Sequence, residues 1–77
     1  MSWRDHISVD PNILVGKPCI KGTRISVELI VEHMGRGYTM ADLITNYPWI
    51  TEDDIRACLM YAAKSVPFRS VKAKQSA

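Results

Sequence analysis

The sequence predicts a mainly α domain with a small N-terminal β segment, a three-helix bundle whose last two helices have the layout of a helix-turn-helix. Three observations carry this. Apolar and polar residues alternate over residues 5–27, apolar residues recur with a helical period from Val27 onward, and capping signals led by Thr39 and Thr51 stand on either side of Pro48. A chain of 77 residues is one domain, and it buries only about 62% of its unfolded surface on folding. So small a body predicts unordered residues, oligomerisation or a partner, and it leaves little room for the deep cleft of an enzyme.

In residues 5–27, Ile7 and Val9 alternate with polar neighbours, Asp10-Pro11-Asn12 breaks the chain, and Ile13-Leu14-Val15 resumes an apolar run up to Gly16. Lys21-Gly22 then separates Pro18-Cys19-Ile20 from the alternating Thr23-Arg24-Ile25-Ser26-Val27. This pattern predicts a β-hairpin over 5–27 with Gly22 at a positive φ. Gly16 to Thr23 has only a faint likeness to a phosphate loop, since no Lys follows the second Gly, and turn chemistry explains both glycines.

On a helical wheel Ile30, Val31 and Met34 fall within about 60° of Val27. They predict a helix of about nine residues, ended by Gly35 and Gly37. Leu29 and His33 lie on its far side. Thr39 N-caps the second helix with Asp42 in the place of the usual capping-box Glu, and Pro48 stops that helix by Tyr47. Thr51 then opens the third helix with Glu52, Asp53 and Asp54 at the positive end of its dipole. On this helix the wheel puts Ile55, Cys58, Leu59 and Ala62 inward. Asp53, Ala57, Met60 and Lys64 point away, with Arg56 and Tyr61 on the flanks, and Pro67 closes the helix. Residues 1–66 are therefore expected to form the helix-turn-helix domain, and 67–77 a basic, flexible tail.

Hydrophobic residues at 47% and charged residues at 23% are ordinary for a globular domain. No apolar run approaches the roughly 18 residues of a membrane span, and Met1 to His6 lack the apolar core of a signal peptide. The expectation is a cytoplasmic protein without membrane contact, its Cys19 and Cys58 reduced thiols with no metal-ligand spacing. The net charge is only +2, but beyond Ile55 stand Arg56, Lys64, Arg69, Lys72 and Lys74 with no acidic residue. If the helix-turn-helix meets DNA, Thr51, Arg56, Met60 and Lys64 are the residues within reach, with Arg24 of the hairpin a further basic candidate. Three acids in the first turn oppose that reading, because they face where phosphates would lie. Arg69, Lys72 and Lys74 of the tail suit either phosphates or a protein partner. No nucleophile, base and orienting group fall together, so neither a catalytic site nor a cofactor is expected. Trp49, in the turn between the last two helices, is expected in the core or in a dimer contact.

The run Ile7-x-x-Asp10-Pro11-x-Ile13-Leu14-x-Gly16-Lys17-Pro18-x-Ile20-x-Gly22-Thr23-Arg24-Ile25-x-Val27 resembles the signature of the prokaryotic "domain of unknown function 433" family. Gly37, Leu43, Tyr47-Pro48, Thr51, Asp54-Ile55, Ala57, Leu59 and Tyr61-Ala62 continue the resemblance, which covers roughly residues 5 to 63. Val15 stands where the family often has a second glycine. The resemblance implies a homeodomain-like fold and an antitoxin role, since family members are often encoded beside small toxins resembling PIN-domain ribonucleases. Such an antitoxin binds its operator as a homodimer and blocks the toxin with another segment. The other reading of the same residues is a protein-interaction module whose helix-turn-helix is architectural and does not bind DNA.

Overall fold

In the computed structural model, which describes residues 2–66, the chain opens with one 3-10 turn, Trp3–Asp5, capped by the Ser2 hydroxyl. Two short strands follow, β1 (Ile7–Ser8) and β2 (Cys19–Ile20), paired antiparallel with Ile7 opposite Ile20 and Ser8 opposite Cys19. Three helices complete the described chain: α1 (Val27–Gly35), α2 (Met40–Asn46) and α3 (Glu52–Ser65). No helix among the described residues is long and apolar enough to cross a membrane.

The β segment is present, but its pairing differs from the expected hairpin. The Lys21-Gly22 turn forms: Thr23 N–H donates to Ile20 O at 3.0 Å, and Gly22 has φ +81°, the positive φ that the third position of a type II turn requires. Beyond the turn, only Ser26 bridges back, to Cys19. The other edge of β2 takes β1 as its partner, so Cys19–Ile20 runs between two neighbours and both its side chains are buried.

Ile13-Leu14-Val15 is not a strand. Asp10 accepts from Asn12 N–H through its carboxylate at 2.8 Å and from Ile13 N–H through its carbonyl at 2.9 Å, which folds the chain back before it extends. Leu14, Val15 and Gly16 then form a 3-10 turn with φ of +50°, +55° and +81°. A β-branched residue in this left-handed region is strained, and the Val15 side chain, 94% exposed, gains no packing in return.

The helices begin where the sequence signals them. Ser26 caps α1 by accepting from Leu29 N–H at 3.0 Å, a cap that the alternating run of residues 23–27 conceals in the sequence. Thr39 with Asp42 and Thr51 with Asp54 both form complete capping boxes, hydroxyl to N–H one way and carboxylate to N–H the other. Asp therefore does the reciprocal work usually done by Glu. Tyr47 ends α2.

The core gathers Ile7, Ile20, Ile30, Leu43, Ile55 and Cys58 from every regular element. Leu29, expected away from it, packs against it half-buried. On α3 the inward face is wider than the wheel predicted and turned toward Cys58. Ala57, expected to point out, is fully buried, whereas Leu59 is only half-buried. The cause is the N-terminal segment. Trp3 stacks edge-on against Tyr61 at 5.1 Å between centroids, and His6 binds Asp54. Asp54, Ala57 and Tyr61 follow one another at helical spacing, and the first and last of them carry that segment across this side of α3.

Candidate nucleic-acid interface

The segment that could present a helix to DNA is α2, the turn Tyr47 to Ile50, and α3. The turn is tight because Tyr47 N–H returns to Leu43 O at 2.8 Å and Ile50 N–H to Tyr47 O at 3.0 Å, with Ile50 buried as its anchor. Trp49 sits at its tip and is 63% exposed, touching Tyr47 edge-on at 5.9 Å. It is therefore not a core residue of this chain.

Arg56, Met60 and Lys64 follow one another at intervals of four residues, which places them in one stripe along α3, and all three are exposed. Arg24 is exposed too, but it lies after the β-turn at Gly22, before α1, and not on this stripe. Thr51 is exposed at the N-cap, where its hydroxyl accepts from Asp54 N–H at 3.1 Å, so capping engages it. Arg69, Lys72 and Lys74 lie outside the described residues.

The electrostatics of the stripe are less basic than its residue names suggest. Arg56 donates to Asp53 at 2.9 Å and to Glu52 at 3.1 Å, so both ends of its guanidinium fork face carboxylates of the preceding turn. Glu52, Asp53, Arg56 and Lys64 sum to no net charge. Of the ten basic residues, Arg69, Lys72 and Lys74 belong to the tail, which leaves residues 1–66 with seven against eight acidic ones. The positive field of the chain is therefore carried by the tail.

Asp54 is the most constrained ionisable group near the interface. His6 Nδ1 donates to its Oδ1 at 2.8 Å, and Thr51 N–H donates to its Oδ2 at 3.0 Å. Burial pushes the carboxyl up, but these hydrogen bonds outweigh it and hold Asp54 below the ordinary 3.8. In sequence Asp54 reads only as an acid suited to the start of α3, and His6 carries no signal of a partner. Their 48-residue separation left no local signal that they meet.

Cys19 and Cys58 are free and buried. Burial, then the nearby Asp54 carboxylate and Cys19, push the Cys58 thiol up to about 12, so it behaves as a small apolar group. Among the described residues no three His, Cys, Asp or Glu side chains gather as a metal ion would need.

Residues 7–62 match the family model described as "Protein of unknown function (DUF433)". Among solved structures, the fold is similar to the crystal structure of a DUF433 member protein from Anabaena variabilis, with 29% identity and a TM-score of 0.77. The match takes in 80% of this chain and 61% of that one, so the chain aligns with about three-fifths of its neighbour's length. No curated protein matches the sequence.

Proposed function

The chain belongs to the DUF433 family, and from that membership and the form of α2 and α3 we propose that it is a non-catalytic antitoxin of a prokaryotic toxin-antitoxin pair. In this reading α2, the turn and α3 act as a homeodomain-like helix-turn-helix on operator DNA, in a cytoplasmic homodimer. A PIN-like ribonuclease is the toxin, met by the tail with Arg69, Lys72 and Lys74. The observation that carries the DNA arm is the exposed stripe of Arg56, Met60 and Lys64, on a helix whose other side is held by the core and by Trp3 and His6. Both capping boxes support it, because they fix where α2 and α3 start and so the angle of the turn between them.

The test is an anisotropy titration of the protein against duplex from its own upstream region and against random duplex, at moderate salt. Tighter binding to its own region is expected, and it should collapse in the Arg56→Glu, Lys64→Glu double variant. Equal affinity for both duplexes refutes operator binding.

One observation favours a second reading, a protein-interaction module that does not touch DNA. The Arg56 guanidinium is already engaged by Glu52 and Asp53, and an acidic first turn repels a phosphate backbone. Under that reading the double variant still co-purifies with the ribonuclease partner, and its weak DNA retention is unchanged.

A further inference from the structure

Between the N-terminal half of α1 and the C-terminal end of α3 runs an open groove of about 670 Å³. Val27, Val31, Tyr61 and Ala62 supply apolar walls, and the carboxylates of Glu28 and Glu32 stand along the α1 side. None of these residues belongs to the exposed stripe of α3. Val31, Tyr61 and Ala62 pack against the core yet are only partly buried, so the groove exposes apolar surface beside negative charge.

Glu28 binds Lys17 at 2.9 Å through Oε1, and Glu32 binds Arg36 at 2.8 Å through Oε2. Both pairs are exposed, a setting in which ion pairs contribute little and exchange readily. Each carboxylate also keeps a second oxygen able to accept from another cation. The groove thus suits an extended segment that alternates apolar and basic side chains.

The sequence contains one such segment, and it starts at the groove's rim. Ser65, the last residue of α3, lines the groove, and the chain continues as Pro67-Phe68-Arg69-Ser70-Val71-Lys72-Ala73-Lys74. It brings two large apolar side chains, Phe68 and Val71, and three cations with no acid, against a body with one more acidic than basic residue. At about 3.3 Å per extended residue, the stretch from Phe68 to Lys72 is long enough to pass along the two turns of α1 that line the groove.

We propose that the groove between α1 and α3 is the docking site of the chain's own residues 67–77, with Phe68 and Val71 against its apolar walls and Arg69 and Lys72 on Glu28 and Glu32. The proposal does not depend on DNA binding: the groove lies apart from the Arg56, Met60 and Lys64 stripe, and the tail that fills it is the same one that a toxin would have to displace.

The test uses the full chain. Backbone amide shifts of the protein are compared with those of an Arg69→Gln, Lys72→Gln, Lys74→Gln variant, whose changes lie outside the described core and leave it intact. Shift changes are expected at Glu28, Val31, Glu32, Tyr61 and Ala62, and the same residues should move when salt is raised. A Phe68→Ser variant should move Val31 and Tyr61 as well. Changes confined to the residues beside Val66 overturn the proposal. So do groove shifts that appear only as protein concentration rises, which would mean that the tail of a second copy fills the groove.

Discussion

His6 and Asp54 join the N-terminal segment to the start of α3. The imidazole Nδ1 donates to the carboxylate at 2.8 Å across 48 residues of sequence, and the same carboxylate closes the capping box of α3 through Thr51 N–H. One side chain therefore both starts the longest helix and fastens the N-terminal segment over it. The pair is largely shielded from water, with side-chain exposures of 25% and 17%, so it is screened less than the surface pairs of α3.

Replacing Asp54 by Ala should cost about 2 kcal/mol, since it removes the capping partner and a charge-assisted hydrogen bond together. Asp54→Asn gives the pH test. The Asp54 carboxyl is held below 3.8 in the fold, so its contribution is complete above that value and is lost as pH falls through the folded pKa. Urea midpoints of the parent and the Asn variant should differ at pH 6 and draw together below pH 3.8. A difference that is constant with pH would show that the charge of Asp54 is immaterial.

Val15→Gly should stabilise the protein by about 1 kcal/mol. Glycine relieves the cost of a left-handed β-branched residue, roughly 1–2 kcal/mol, and gives back part of that as extra freedom in the unfolded chain. Val15 is 94% exposed, so no packing is lost. Thermal unfolding of the two proteins decides it, and an unchanged or lower midpoint would count against strain at this turn.

Ile30→Ala should destabilise by about 3 kcal/mol, because the residue is fully buried where α1 meets the core and the cavity is lined by other elements. Met60→Ser should stay within about 0.5 kcal/mol, as expected of an exposed site. Denaturant titrations of both variants test the assignment of inner and outer faces. A costly Met60 change would mean that this stripe is covered in solution.

Neither thiol should react with an aromatic disulfide reagent at pH 8 in the folded protein, and both should react once denaturant is added. Cys58 is buried and its thiol is pushed up to about 12, while burial raises Cys19 as well, with Arg24 opposing it weakly. Since the thiolate is the reacting form, rapid labelling of the native protein would imply that β2 opens away from α3.

Much of this protein is written locally. Thr39 with Asp42, Thr51 with Asp54 and the stop at Pro48 set the helix limits within a few residues of themselves, because capping is a contact between neighbours in sequence. Gly22 fixed its turn in the same way. The strands were harder to read. Ile13-Leu14-Val15 has the composition of a strand, but the Asp10 turn just before it decides its path.

The sequence by itself determined three helices with their starts, the family to which the chain belongs, and the outward direction of Met60 and Lys64, with Arg56 on the flank. Tertiary structure alone decided which side of α3 is covered, the burial of Ala57, the partner of β2 and the neutral charge balance of the candidate interface. The physical reason is distance along the chain. Helical periodicity reports one element's own apolar face, whereas Trp3 on Tyr61 and His6 on Asp54 are contacts between segments that meet only after the chain has folded. Those contacts widened the buried arc of α3 beyond the face that its apolar pattern marked.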